Sequence, residues 1–150
     1  MKNLHFFGCG KGSTWYNEKL IVGQGKTRGG AVFFENQNCF NLMDGLYLFN
    51  HVQMDGGGIY LLDCHDVLIK GNFFSLNFAK WGGAIYLERC SNVVIQNNLF
   101  LLNFAKRDGG AISLSKCRDI LISENRFVLN TAFRSGGKID IHECEKVNVL

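Results

Sequence analysis

Residues 82–103 read Gly82-Gly83-Ala84-Ile85-Tyr86-Leu87-Glu88-Arg89-Cys90-Ser91-Asn92-Val93-Val94-Ile95-Gln96-Asn97-Asn98-Leu99-Phe100-Leu101-Leu102-Asn103, and residues 109–130 repeat the plan almost position for position. Both begin with Gly-Gly-Ala-Ile, carry Cys five residues after the Ile, pass through an aliphatic-x-aliphatic pair and close on Phe-x-x-Asn. Working outward, the aliphatic after the glycine pair recurs at Val32, Ile59, Ile85, Ile112 and Ile139, in steps of 27, 26, 27 and 27 residues. Self-similarity at such a period is the signature of a solenoid.

The rest of each unit follows suit. Cys64, Cys90, Cys117 and Cys144 share one position, and only the first unit departs, with Gln37 there. The pairs Phe40/Leu42, Val67/Ile69, Val93/Ile95, Ile120/Ile122 and Val147/Val149 alternate with period two, as a strand with one buried face does. A turn Asn follows at Asn72, Asn98 and Asn125. The unit then ends on aromatic-x-x-Asn, with Asn50, Asn77, Asn103 and Asn130 in the last place. Helical spacing is absent. The reading is an all-β, right-handed parallel β-helix of about 27 residues per coil with three short strands per coil, since parallel crossovers are right-handed in nearly all cases. Residues 29–150 carry the repeat, the last coil being incomplete. Residues 1–28 read as an N-terminal cap or degenerate first coil, in which Leu20-Ile21-Val22-Gly23 occupies the place of a worn aromatic-x-x-Asn.

Composition narrows the function. The 150 residues hold 18 Gly, 13 Phe and no Pro, so turns fall to Gly, Asn and Asp. A net charge of +3, with Lys106-Arg107 the longest basic cluster, gives no nucleic-acid footprint. No apolar run reaches the roughly 18 residues of a membrane-spanning helix.

The Cys and Asn ladders are expected to be structural. The four stacked cysteines read as small buried thiols, with disulfide pairing or a metal array as alternatives, because no CxxC or paired His spacing accompanies them. The Asn residues are expected to take positive φ at the turns and to bond one another. Outward positions are the candidate binding surface. Phe33, Tyr60 and Tyr86, followed by Ser113 and Asp140, form an aromatic stripe along one face that either stacks on a ligand or stabilises the sheet. A second ridge sets Lys80-Trp81 beside Lys106-Arg107 and Phe133-Arg134 in equivalent loops, a mixture suited to an anionic glycan or an acidic protein surface.

The Gly-Gly-Ala-Ile and Phe-x-x-Asn motifs resemble the repeats of the chlamydial polymorphic outer membrane proteins and, more broadly, pectin-lyase-like β-helix repeats. That resemblance implies an adhesin-like passenger displayed at the cell surface or secreted, with a protein or glycan as partner. Enzymes that resemble this solenoid use clustered Asp or Asn-Thr-Asp and Gly-His-Gly strings, and neither string occurs here. Asp63, His65 and Asp66 come nearest, but their counterparts Arg89/Asn92 and Lys116/Asp119 do not continue the set. The expectation is therefore a non-enzymatic binding module without catalytic residues, cofactor or metal. Two other readings stand beside it. One is an assembly subunit whose last coil, stopping at Val147-Asn148-Val149-Leu150, stacks on another chain, and the other is a fragment of a carbohydrate-active enzyme.

Overall fold

A computed structural model describes residues 28–150 together with the backbone of Thr14–Tyr16. Most of the expected cap, including Leu20-Ile21-Val22-Gly23, lies outside the described residues. The repeat builds a parallel β-solenoid in which every strand pairs with its counterpart one coil away. Sheet 1 holds Val32–Glu35, Ile59–Leu62, Ile85–Glu88, Ile112–Ser115 and Ile139–His142. Sheet 2 holds Thr14–Tyr16, Asn38–Met43, His65–Lys70, Ser91–Gln96, Arg118–Ser123 and Glu145–Val149. Sheet 3 is made of the three-residue strands Leu46–Leu48, Phe73–Ser75, Leu99–Leu101 and Arg126–Val128.

A fourth sheet corrects the expectation of three strands per coil. Phe78–Trp81, Phe104–Asp108 and Thr131–Ala132, read from sequence as loops, pair in parallel as sheet 4, and single bridges from His51 to Phe78 and from Asp55 to Trp81 extend it. The alternation is hidden because the inward positions are only Ala79 and Ala105, both fully buried, while the outward ones are Phe78, Lys80, Phe104 and Lys106. Such a strand is polar and aromatic outside and nearly empty inside, so hydropathy does not flag it.

The register is that of the sequence repeat. Ile85 pairs with Ile59 and Ile112, and all three are fully buried. Inward Tyr47, Phe74, Phe100 and Phe127 stack at centroid distances of 4.6, 4.9 and 5.0 Å, close to the strand spacing that forces identical side chains into contact. At roughly 1.5–3 kcal/mol per buried aliphatic or aromatic side chain, these columns carry the fold.

The corners obey one rule. A residue in the left-handed region turns the chain, and the next residue points inward. Asp63, Arg89, Lys116 and Glu143 have φ near +50° and precede the Cys ladder. Gly71, Asn97 and Glu124 precede Asn72, Asn98 and Asn125, while Leu76, Leu102 and Leu129 precede Asn77, Asn103 and Asn130. The expectation that the ladder asparagines themselves take positive φ is thus corrected by one residue. Their work is hydrogen bonding. Asn72 is typical: its Oδ1 accepts from the Gly45 N–H at 2.8 Å, its own N–H and Nδ2 both donate to Oδ1 of Asn98, at 2.9 and 3.0 Å, and Nδ2 donates again to the Leu42 carbonyl at 3.0 Å. The side chain supplies the partners that the turned backbone lacks, as buried polar groups require.

The cysteines do the same with sulfur. Cys90 and Cys117 each have two carbonyl oxygens 3.4 Å from Sγ to receive the single S–H, and Cys144 Sγ accepts from the Cys117 N–H at 3.2 Å. Cys64, Cys90 and Cys117 are buried free thiols. Hydrogen bonding from Cys117 and Cys64, with burial, pushes the Cys90 thiol far above its ordinary range, so it stays protonated.

Candidate functional site

The outward position of sheet 1 changes character along the axis. Phe33, Tyr60 and Tyr86 stack at 5.2 Å between successive ring centroids, as the spacing of the sequence positions requires. The stack is not an open stripe, however. Tyr60 is fully buried, its ring lies under the Arg28 guanidinium at 5.6 Å, and its hydroxyl donates to Glu88 Oε2 at 2.5 Å. Burial and that bond push the Tyr60 phenol up. As a ligand contact Tyr60 is therefore corrected: its ring faces are taken by Phe33, Tyr86 and Arg28.

Below Tyr86 the column loses its rings. Ser113 and Asp140 occupy the next two places, and the volume that another aromatic would fill is open. The result is a cleft of about 400 Å³ between the outer face of sheet 1 and the edge of sheet 4. Trp81 and Tyr86 form its upper wall, Ser113 and Ser115 its floor, and Asp108, Arg134, Ser135, Asp140 and His142 its lower rim.

The rim is organised around Asp108. This residue is 3% exposed, and Arg134 Nε donates to its Oδ1 at 2.9 Å while Arg134 Nη2 donates to Oδ2. Ser135 Oγ donates to the same Oδ1 at 2.8 Å and lies 3.3 Å from Asp140 Oδ1. The Arg134 guanidinium holds the Asp108 carboxyl below the usual carboxylate range, aided by Ser135 and Trp81 and opposed by burial. Asp140 moves the other way, raised first by burial and then by the charge of Asp108. Two carboxylates bridged by a serine hydroxyl are thus driven apart in acidity. His142 Nε2 lies 3.1 Å from Glu143 Oε1 at the open end.

Of the sequence candidates, the fold brings Trp81, Tyr86 and Arg134 into this cleft. Phe33 stands above it, 42% exposed. Lys80, Lys106 and Arg107 lie on sheet 4 beside Trp81, not in the cleft: Lys80 Nζ sits 4.3 Å and Arg107 5.4 Å from the indole ring centroid, and Lys106 Nζ 5.5 Å from that of Phe78. Asp108, Ser135 and His142 were missed. A signal existed, since Asp55, Trp81, Asp108 and Ser135 share the place immediately or nearly before the glycine pair and form a line of bridges. It was illegible without the fourth sheet, which alone shows that this place borders sheet 1.

The same line holds a second buried acid. Asp55 is 5% exposed, and its Oδ1 has no hydrogen-bond partner. Burial raises its pKa to about 6, with Glu88 adding to the rise and Arg28 and Lys80 opposing it. Because the folded value lies above the unfolded one, the folded state holds the proton more tightly, and the stability this gives is present below about pH 4 and lost as pH rises through 6. Asp55→Asn mimics the protonated acid. The variant is expected to lie close to the wild type at pH 4 and to exceed it by about 3 kcal/mol at pH 7.5, the rise from 3.8 to about 6 converted at about 1.36 kcal/mol per pH unit. Urea unfolding of both proteins across that range checks it, and a gap that does not grow with pH refutes it.

Among the described residues no helix is long and apolar enough to cross a membrane, and no group of three or more His, Cys, Asp or Glu is placed to hold a metal ion. No curated protein and no solved structure matches the chain. The model of the right-handed β-helix region family matches residues 24–149, the whole repeat. With the parallel sheets, the coil of about 27 residues and this match together, the chain belongs to the right-handed β-helix family.

Proposed function

We propose that the protein is a non-enzymatic β-helix binding module, adhesin-like in use, whose cleft below Tyr86 receives a saccharide. The observation that carries this reading is the break in the aromatic column. Rings at 33, 60 and 86 give way to Ser113, so an aromatic wall, hydroxyl floor and charged rim face one cavity. Aromatic faces take the apolar side of a sugar ring while hydroxyls and carboxylates bond its rim, and few precisely placed polar groups in a concave site fix orientation. Asp108 is engaged by Arg134 and Ser135 through both oxygens, which makes it a fixed acceptor in place of a free base.

Calorimetric titration with a panel of oligosaccharides tests it. Ser113→Tyr continues the stack into the cleft and is expected to abolish binding with the fold intact. Tyr86→Ser is expected to weaken binding about five- to tenfold, through the loss of about 1–1.5 kcal/mol of ring contact. Binding untouched by both variants refutes the assignment.

A second reading rests on the Asp108–Ser135–Asp140 bridge, since carboxylates of divergent acidity are the means of glycoside hydrolysis. Release of reducing ends from the same panel, abolished by Asp140→Asn, would replace the binding-module reading with an enzymatic one.

A further inference from the structure

The corner between sheets 3 and 4 is built against the conformational preferences of its residues. Among the described residues seventeen non-glycine residues have positive φ, and twelve of them are polar or charged, the Asn and Asp among them being the types that best tolerate the left-handed region. Apart from Cys39, the exceptions are Phe49, Leu76, Leu102 and Leu129, which occupy one corner position in four successive coils. These side chains are also poorly buried for large apolar residues, being 60%, 43%, 42% and 71% exposed. A bulky apolar residue that is both disfavoured by its backbone and left in water points to a use outside the fold.

The surroundings say which use. The outer face of sheet 3 continues the ridge with Leu46, Leu48, Phe73, Leu99, Leu101 and Val128, and Arg126 is the one charged residue in its four strands. On the other side of the ridge, stacked Phe78 and Phe104 lead to Lys80, Lys106 and Arg107. Among the described residues none of these three cations makes an ion pair, whereas Arg89, Arg118 and Arg134 each do. Lys80 follows Leu76 by four residues, past the corner and at most about 13 Å away, and Lys106 follows Leu102 likewise, so the cations line a band parallel to the apolar ridge.

We propose that this corner is a peripheral docking surface for an anionic lipid bilayer, with Phe49, Leu76, Leu102 and Leu129 entering the acyl boundary and Lys80, Lys106 and Arg107 meeting the headgroups. The arrangement of apolar side chains at the depth of the interface, aromatics at its level and cations above matches that of interfacial anchors. Charge complementarity selects an anionic surface. Shape argues against a second protein: the ridge is a convex corner, and the flat part of sheet 3 covers roughly 15 Å by 10 Å, well below the about 800 Å² per partner of a standard interface.

Co-sedimentation of the full chain with phosphatidylcholine vesicles, with and without about a third phosphatidylglycerol, tests the proposal. The protein is expected to pellet with the anionic vesicles and to be partly released by added salt. Leu76→Asn/Leu102→Asn is expected to reduce binding at least tenfold while the thermal midpoint stays level or rises, because Asn suits the left-handed corner. Lys80→Gln/Lys106→Gln, which leaves the corner intact, is expected to reduce binding to anionic vesicles as well. No binding to anionic vesicles, equal binding to neutral ones, or binding unchanged in both variants overturns the proposal. So does concentration-dependent self-association in the ultracentrifuge that the Leu76→Asn/Leu102→Asn variant removes, which would make a second copy the occupant.

Discussion

Gly83→Ala is expected to leave no stably folded protein. A Cβ on Gly83 would stand 2.2 Å from the Gly110 carbonyl oxygen, 2.7 Å from that of Phe104 and 2.8 Å from the Phe104 carbonyl carbon. All three are backbone atoms of the next coil, so no rotamer change relieves the clash. The coils would have to separate at the sheet 4 to sheet 1 corner, breaking bonds such as Gly83 N–H to the Gly109 carbonyl at 2.9 Å. A loss of more than about 5 kcal/mol is expected, the scale of a whole domain's stability. Gly58→Ala is the control. A Cβ there would stand 2.9 Å from the Ala84 carbonyl oxygen and 3.3 Å from Phe74 Cδ1, a milder conflict than at Gly83, and the register partners Ala31, Ala84 and Ala111 already carry a methyl group, so a loss of about 1–2 kcal/mol is expected. Circular dichroism and urea unfolding of the two variants decide the matter, and a Gly83→Ala protein as stable as Gly58→Ala would overturn the close-approach account.

Asn103→Ala comes next in size. The Asn103 side chain donates from Nδ2 to the Phe74 carbonyl at 3.0 Å and to Asn130 Oδ1 at 2.9 Å, and its Oδ1 accepts from the Asn77 N–H at 3.1 Å and from Asn77 Nδ2 at 2.8 Å. Truncation strands the Asn77 N–H in a buried column and takes one partner each from Asn77 Nδ2, the Phe74 carbonyl and Asn130 Oδ1. With a buried orphan costing about 1–3 kcal/mol and the other lost bonds adding to it, a destabilisation of about 4 kcal/mol is expected. Asn103→Asp keeps the acceptors but loses the donors and buries a charge, so it is expected to be worse above the carboxylate's pKa. The ladder reading fails if Asn103→Ala costs no more than replacing the exposed Asn97 beside the same type of corner.

The fold was legible because the solenoid repeats its contacts. Ile59, Ile85 and Ile112 recur at the coil length for the same reason that they touch, and one sequence therefore displays the register as a periodicity. The Cys and Asn ladders were legible on the same ground. Sheet 4 was not, because Ala79 and Ala105 bury too little to mark an inward face. The burial of Tyr60 was also hidden: its hydroxyl partner Glu88 lies 28 residues away and on the neighbouring coil, where the repeat predicts a ring and says nothing of a carboxylate.

Sequence alone determined the solenoid, its coil length, the pairing of the strands in sheets 1 to 3 and the columns of identical side chains, because parallel stacking maps a 27-residue spacing onto a single physical distance. Only the tertiary structure decided which outward residues meet across different sheets. Asp108, Arg134 and Ser135 reach Asp140 around a corner that the repeat marks only as Gly-Gly. Likewise, the exposed ridge at Phe49, Leu76, Leu102 and Leu129 reads in sequence as more apolar strand, and only the positive φ at each position turns it outward. Periodicity records contacts between equivalent residues, whereas a site is made of inequivalent ones, and those are joined by the angles of the corners.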